Sequence, residues 1–374
     1  MSNNKKSTAS TVAMKGGGYY SESTRGAKDV IDKASTLLFD AVDQITEPQN
    51  QQAVQIADMG SADGGTSKET VYNLVAKLRE RWPERQIVVT YTDLPSNDYS
   101  QLFKNMAGMT DTPEFTYAKD FDDVFVHGSG TSFHQQILPD DTLNIGFSAT
   151  AMHWISDRPC MIGNHVHMVG SEGETRDKFA VQAAKDWEGI LLARAAELAV
   201  GGRFVFMNFC IDEEGRYLGN TGGVNMFNTF HQLWEDMRDA GQITDQEYKN
   251  ATFPQFYRTE EQFTAPMKDL NSPVYKAGLR VASSFTGVVD CPYQRKFNDS
   301  SEMSNRDYAV SLIPTMRSWS ETVFKTALSD ERSEEEKAQL VDAFYQNYED
   351  LVAEDPTGHA MDYVHCYMVV EKVA

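Results

Sequence analysis

Cysteine is scarce: four thiols, Cys160, Cys210, Cys291 and Cys366, are scattered over 374 residues with no CxxC pair and no Cys/His cluster. That spacing excludes a disulfide framework or a zinc finger and suits a reducing compartment. Long apolar runs are missing as well. The most apolar helical stretch, GILLARAAELAV at 189–200, is broken by Arg194 and Glu197 and falls short of the ~20 residues that cross a bilayer. Basic residues are outnumbered, with 34 Lys+Arg against 55 Asp+Glu and a formal charge of −21. No Lys/Arg stripe offsets it, which argues against nucleic-acid phosphates and anionic lipid as partners. The opening MSNNKKSTASTVAMKGGG carries no apolar run, so it reads as neither a signal peptide nor a membrane span, and residues 1–13 as a disordered tail. A soluble, cytoplasmic chain of one large or two ordinary domains is expected.

What is present alternates. VQIADMG (54–60) is a short apolar run ending in glycine, then comes a turn-rich SADGGTS, then KETVYNLVAKLRERW (68–82) with apolar residues at helical spacing; together they read as strand, loop and helix. QIVVTYTD (86–93) and TLNIGFSA (142–149) read as further strands, 179–202 as a long amphipathic helix closed by a glycine pair, and RFVFMNFC (203–210) as the strand after it. This pattern predicts an α/β fold with a parallel sheet flanked by helices. Loops and short helices over 211–280, including MFNTFHQLWEDMRDAG, suggest an inserted helical cap. Strands at 280–290 and 361–372, separated by helices near 306–328 and 334–353, return the chain to a core made of 14–210 and 281–374.

A glycine turn after a first strand lets backbone approach a nucleotide-like ligand, and an acid at the end of the next strand accepts ribose hydroxyls. Asp58, Gly60, Gly64 and Asp93 hold such places. Dinucleotide dehydrogenases and adenosylmethionine methyltransferases share this geometry. Acids at Asp58 and Asp63 disfavour a pyrophosphate and favour a cationic sulfonium and ammonium.

The segments MKGGGYYSEST (14–24), IADMGSADGG (56–65), TDLPSNDYSQLF (92–103), TSFHQQILP (131–139) and SATAMHWIS (148–156), in that order, resemble the signatures of the SABATH methyltransferases. That family includes salicylate, jasmonate and indoleacetate carboxyl methyltransferases and caffeine-pathway N-methyltransferases. WEGILLARAAELAVGGRFVF, FPQFYRTEEQF (253–263) and the closing strand extend the likeness over roughly 14–372. The resemblance implies a Rossmann-like class I methyltransferase sheet with a mainly helical cap over the acceptor site. It also implies S-adenosyl-L-methionine as methyl donor and a homodimer. Carried over position by position, it gives donor contacts to Lys15, Thr24, Asp58, Gly60, Asp93, Leu94, Ser132 and Phe133. Thr66 stands with Gly65 where the family usually has Pro-Asn, and could replace the lost amide contact.

On the acceptor side the resemblance assigns His153 and Trp154 as the catalytic pair that holds a substrate carboxylate by hydrogen-bond donation. Tyr20 matches an acceptor-side tyrosine. Thr150 stands where an aromatic is usual and Ala27 where a glutamine is usual, while Met226, Phe227 and Trp234 in the cap are candidate pocket residues. His165 and His167 form an HxH that reads as a solvated loop, and no metal is expected. A carboxylate is ionised at neutral pH, so its methylation needs placement rather than a general base. A neutral or positive pocket mouth is expected to offset the net charge. The first expectation is therefore a small-acid carboxyl methyltransferase. N-methylation of a heterocycle and, from another class, nicotinamide-dependent oxidation stay open.

Overall fold

The structure, a computed structural model, describes residues 24–49, 52–110 and 113–373. Lys15 and Tyr20 lie outside them. A helix α1 (Arg25–Gln44) precedes β1 (Val54–Met59), α2 (Lys68–Arg81), β2 (Ile87–Thr92), α3 (Tyr99–Met106), β3 (Val124–Ser129) and β4 (Leu143–Ala149). Then follow α4 (Gly173–Glu197), β5 (Leu198–Phe209), α5 (Met226–Asp239), α6 (Asp245–Asn250), α7 (Glu260–Lys268), β6 (Leu279–Val289), α8 (Asn305–Ala327), α9 (Glu334–Glu354) and β7 (Tyr363–Lys372). The seven strands form one sheet in the order β3-β2-β1-β4-β5-β7-β6.

The first five strands pair in parallel, whereas β7 runs antiparallel to both neighbours, so the sheet is mixed rather than wholly parallel as expected. Two consequences place the site. Strand order reverses between β1 and β4, and the crevice beyond the carboxyl ends of such strands is where open α/β sheets bind ligands. The reversed β7 begins at that same edge: Phe209, the last residue of β5, pairs with His365. Residues of both chain halves therefore meet there.

Burial follows the sequence. Strands β1, β4 and β7 are nearly continuous buried runs, as strands covered on both faces must be. Edge strand β3 alternates half-buried and exposed residues. In α1, Val30, Ile31, Ala34, Leu38, Ala41 and Val42 recur at helical spacing and are buried. Helix α4 ends at Glu197, not at the glycine pair, because Leu198 already pairs with Leu143. The glycines instead serve a register shift between Leu143 and Ile145, where a Cβ on Gly202 would lie 2.8 Å from the carbonyl oxygen of Leu143.

The helical layer draws on two stretches of chain. An aromatic cluster joins α5, α8 and α9: Trp234 lies 5.1 Å from Phe324, which lies 4.2 Å from Phe344. Glu247 of α6 accepts from Arg332 Nε at 2.6 Å and from the Ser329 amide, and these bonds hold its carboxyl down to about 2. Within 251–280, by contrast, α7 returns to the sheet layer, where Trp187 Nε1 of α4 donates to the Phe263 carbonyl at 2.9 Å. Among the described residues no helix is long and apolar enough to cross a membrane.

Candidate active site

Two cavities meet at Thr150. The first is walled by Asp58, Gly60, Ser61, Thr66 and Ser67 from β1 and its loop, Ala149 and Thr150 from the end of β4, and Ala27 and Ile31 from α1. Gly60 adopts φ +81°, and a Cβ there would sit 2.4 Å from the Cβ of Ala151, so a side chain is excluded on two counts. The loop is closed onto β2: the Gly60 and Ser61 amides donate to the Thr92 carbonyl at 2.8 and 3.1 Å. Asp93 then braces it, accepting from the Ala62 amide at 2.8 Å on Oδ2 and from the Leu94 amide at 2.7 Å on Oδ1.

Each of those oxygens keeps a lone pair for a ligand hydroxyl. Burial raises the Asp93 pKa, opposed by the two amides. Asp58 is buried and takes a 2.6 Å bond from Ser67 Oγ; desolvation, with Asp93 nearby, pushes its carboxyl up to about 7. Two acids held in a low dielectric, with no cation beside them among the described residues, are poised for a positively charged ligand.

The loop 131–139 is fixed from beneath. Arg194 and Glu197, both fully buried on α4, pair at 2.6 Å, and Arg194 donates to the carbonyls of Phe133 and Gln135 at 3.0 and 2.9 Å. Ser132 and Phe133 are half-buried, with Phe133 Cδ1 4.0 Å from where a Gly60 Cβ would lie. The aromatic face is thus brought to the glycine turn.

The second cavity is lined by Thr24, Thr150, His153, Trp154, Gln255 and Tyr257, with Phe209, Leu218, Trp319, Met361 and Tyr363 completing its wall. None of these carries a formal charge. His153 is 3% exposed, and burial, reinforced by His365 and His167, drives its pKa well below the ordinary value. It is a neutral imidazole. A short strand-like pairing holds it: the Phe256 amide donates to the His153 carbonyl and the Ile155 amide to that of Pro254, both at 2.9 Å, while Trp154 and Gln255 form a bridge. Thr150, at φ +56°, makes a 3.1 Å bond between its Oγ1 and His365 Nε2.

A model of the SAM-dependent carboxyl methyltransferases matches residues 9–373. The chain belongs to this family. Gibberellic acid methyltransferase 2 of Arabidopsis thaliana is 27% identical over 63% of the chain, a match that spans 64% of that relative. Loganic acid O-methyltransferase of Catharanthus roseus is 23% identical over 77% of the chain and 84% of its own length. The match to the two gibberellic acid methyltransferases thus spans just under two thirds of their length. A solved structure of loganic acid methyltransferase with SAH superposes with a TM-score of 0.75 at 18% identity, covering 97% of this chain and 99% of that one. The likeness establishes a class I methyltransferase fold.

The family is described as SAM-dependent, and the first cavity suits that ligand. Asp58 and its neighbours offer negative charge to a sulfonium and an ammonium, and Asp93 offers acceptors to ribose hydroxyls. The glycine turn admits close backbone approach. Thr24, expected as a donor contact, lines the second cavity, whereas Ala27 lines the first. Met226, Phe227 and Trp234 are fully buried behind the acceptor wall, not on it: Trp234 packs in the cap cluster and Phe227 stacks on His167 at 3.9 Å. The HxH is no solvated loop. His167 is fully buried, and His165 bonds the His167 carbonyl at 2.8 Å.

Sequence reasoning did not single out Gln255, Tyr257, Trp319 or His365. The FPQFYR run carried a signal, since its polar residues interrupt an aromatic stretch that pairs with the His153 segment. Trp319 and His365 come from helix and strand patterns that look like plain core.

Proposed function

We propose that this chain methylates the carboxylate of a small apolar organic acid, forming a methyl ester. The observation that carries the reading is the neutral, donor-bearing cavity at His153 and Trp154, which shares Thr150 with the cavity at Asp58 and Gly60. S-adenosylmethionine supplies an electrophilic methyl group on a sulfonium. Asp93, with Leu94, Ser132 and Phe133, holds the nucleoside, and Asp58, Gly60 and Thr66 hold the methionine part. His153 and Trp154 orient the acceptor by hydrogen bonds. A carboxylic acid of pKa near ~4 is already ionised at neutral pH, so no proton has to move. Aromatic walls exclude water, and holding two reactants in line supplies effective molarities of up to ~10⁵ M or more.

Lys15 and Tyr20 are assigned to the donor and acceptor by resemblance. The cap in this reading comprises α5, α6, α8 and α9. A homodimer and a cytoplasmic location belong to it too, on the family likeness and the composition, and light scattering checks the first. The function is tested by supplying donor with gibberellic acid, loganic acid and simple free acids and following a gain of one methyl by mass. An ester releases methanol in mild alkali; an alkali-stable product would instead favour N-methylation.

A further inference from the structure

Behind the acceptor wall, the buried histidines set the polarity of one amide. The Val169 amide donates to His167 Nδ1 at 3.3 Å, so that nitrogen is an acceptor and the proton of the neutral ring sits on Nε2. His167 Nε2 therefore donates to Gln255 Oε1, at 3.2 Å. Tyr257 donates its hydroxyl to the same oxygen, also at 3.2 Å. With both lone pairs of Oε1 taken, the opposite side of the amide must be the NH₂ group.

That NH₂ has no partner among the described residues, although Gln255 is only 1% exposed. Burying an amide donor unpaired costs free energy, and native structures rarely leave one so. Gln255 lies on the same wall as His153, whose Nδ1 is also unpartnered, and its backbone bridges that of Trp154. The rest of the wall is uncharged: Phe209, Leu218 and Met361 are apolar, Trp319 and Tyr363 add rings with one polar atom each, and Thr24 and Thr150 add hydroxyls.

We propose that the Gln255 Nε2 group binds the acceptor carboxylate together with His153 and Trp154, selecting acids with one carboxylate on an uncharged apolar body. The proposal rests on the carboxylate reading above and adds to it the residue and the substrate class. A second carboxylate would find no cation on this wall, only the indole N–H of Trp319 as a further unpartnered donor among the described residues. The acid would be held by neutral donors alone.

The test uses the full chain, labelled with nitrogen-15 and saturated with S-adenosylhomocysteine, titrated with sodium acetate against sodium chloride. Gln255→Glu keeps an acceptor for His167 and Tyr257 while deleting the NH₂ group, so it preserves packing and identifies the Gln255 resonances by their loss. The expected result is that the Gln255 amide and the Trp154 indole N–H shift together with one dissociation constant. In Gln255→Glu at pH 8, acetate binding falls tenfold or more at unchanged S-adenosylhomocysteine affinity. A Trp154 shift without a Gln255 shift, or wild-type acetate affinity in Gln255→Glu, overturns the assignment and leaves the carboxylate reading standing. If neither group responds to acetate, the carboxylate reading falls as well. His167→Phe keeps a ring against Phe227 but removes the Nε2 proton, so it should move the Gln255 resonances before any acetate is added; unmoved resonances would remove His167 from the mechanism of orientation.

Discussion

The donor half and the acceptor half of the site are built by opposite means. Around the donor cavity, strand ends and their loops supply backbone groups and two acids from neighbouring stretches of sequence, and Asp93 is braced by the amides of Ala62 and Leu94. Around the acceptor cavity, side chains converge from residue 24, from 150–154, from 209–218, from 255–257 and from 319–363. The donor side is charged and held by main-chain bonds; the acceptor side is neutral and held by aromatic packing. A scaffold of the first kind suits one invariant ligand, and one of the second kind can be re-lined to suit many.

The comparison can be broken most severely at the point where both halves touch. Gly60→Ala would force an L side chain to φ +81° and drive its Cβ into Ala151, two residues before His153. The strain costs about 2 kcal/mol or more, and we expect donor affinity and acceptor turnover to fall together, with a lowered Tm. Calorimetry and a thermal melt check this, and loss on one side alone would show the halves to be uncoupled.

Asp93→Ala should separate them. It deletes an acceptor of the charge-assisted kind, worth roughly 1.5–3 kcal/mol, so S-adenosylhomocysteine should bind about tenfold or more weaker in a folded protein whose acetate response is unchanged. Unaltered affinity in calorimetric titration would refute the ribose assignment.

Trp154→Phe probes the other half, keeping most of the ring while removing the N–H. Acceptor kcat/KM should drop by about tenfold, with donor affinity intact. Wild-type kinetics would mean that the indole only packs.

Around neutral pH the smallest effects come from pH itself, and they differ in kind between the halves. Asp58, raised to about 7 by burial, must be ionised to pair with a cation. Donor affinity should therefore rise as pH increases toward 7, by up to about tenfold per unit below it, and level off above. The linked stability has the opposite sign: with a folded pKa above the unfolded one, the free protein loses stability as pH rises from about 4 to 7, and Asp58→Asn abolishes that slope. His153 stays neutral, so acceptor binding should show no inflection near 6.5. Calorimetric titrations across pH 5.5 to 8.5 read both.

Much of the first cavity's layout was legible in the sequence because its determinants are local. Asp58, Gly60, Thr66 and Asp93 stand within one strand, loop, helix and strand, and the boundaries of β1, β2 and β4 follow directly from runs of apolar residues. The class of fold was equally accessible. Strand β3 was not, since an edge strand with exposed residues lacks the apolar run of a central one. Nor was the end of α4, where a glycine pair that resembles a helix stop serves a strand irregularity.

The helical layer was harder still. Helices α8 and α9 lie in the stretch assigned to the core, yet Phe324 and Phe344 pack on Trp234 of α5, 90 and 110 residues earlier in the chain, and nothing local records that partner. The polarity of the HxH pair depends on burial, which spacing does not report. Gln255 gains its meaning only from His167 and Tyr257 together.

The reversed strand β7 has a consequence for how the molecule assembles. It lies between β5 and β6 although it follows both in the chain, so β6 has no sheet partner until β7 arrives to pair with each of them. Strands β1 to β5 form by shorter-range crossovers and can fold as the chain emerges from the ribosome. Met361 and Tyr363 are delivered last, with His365 behind Thr150, and the wall of the second cavity closes with them. During synthesis, a nascent chain would therefore hold a competent donor crevice before it has any pocket for an acid, and the exposed edge of β5 would be the surface that chaperones must shield in the interval.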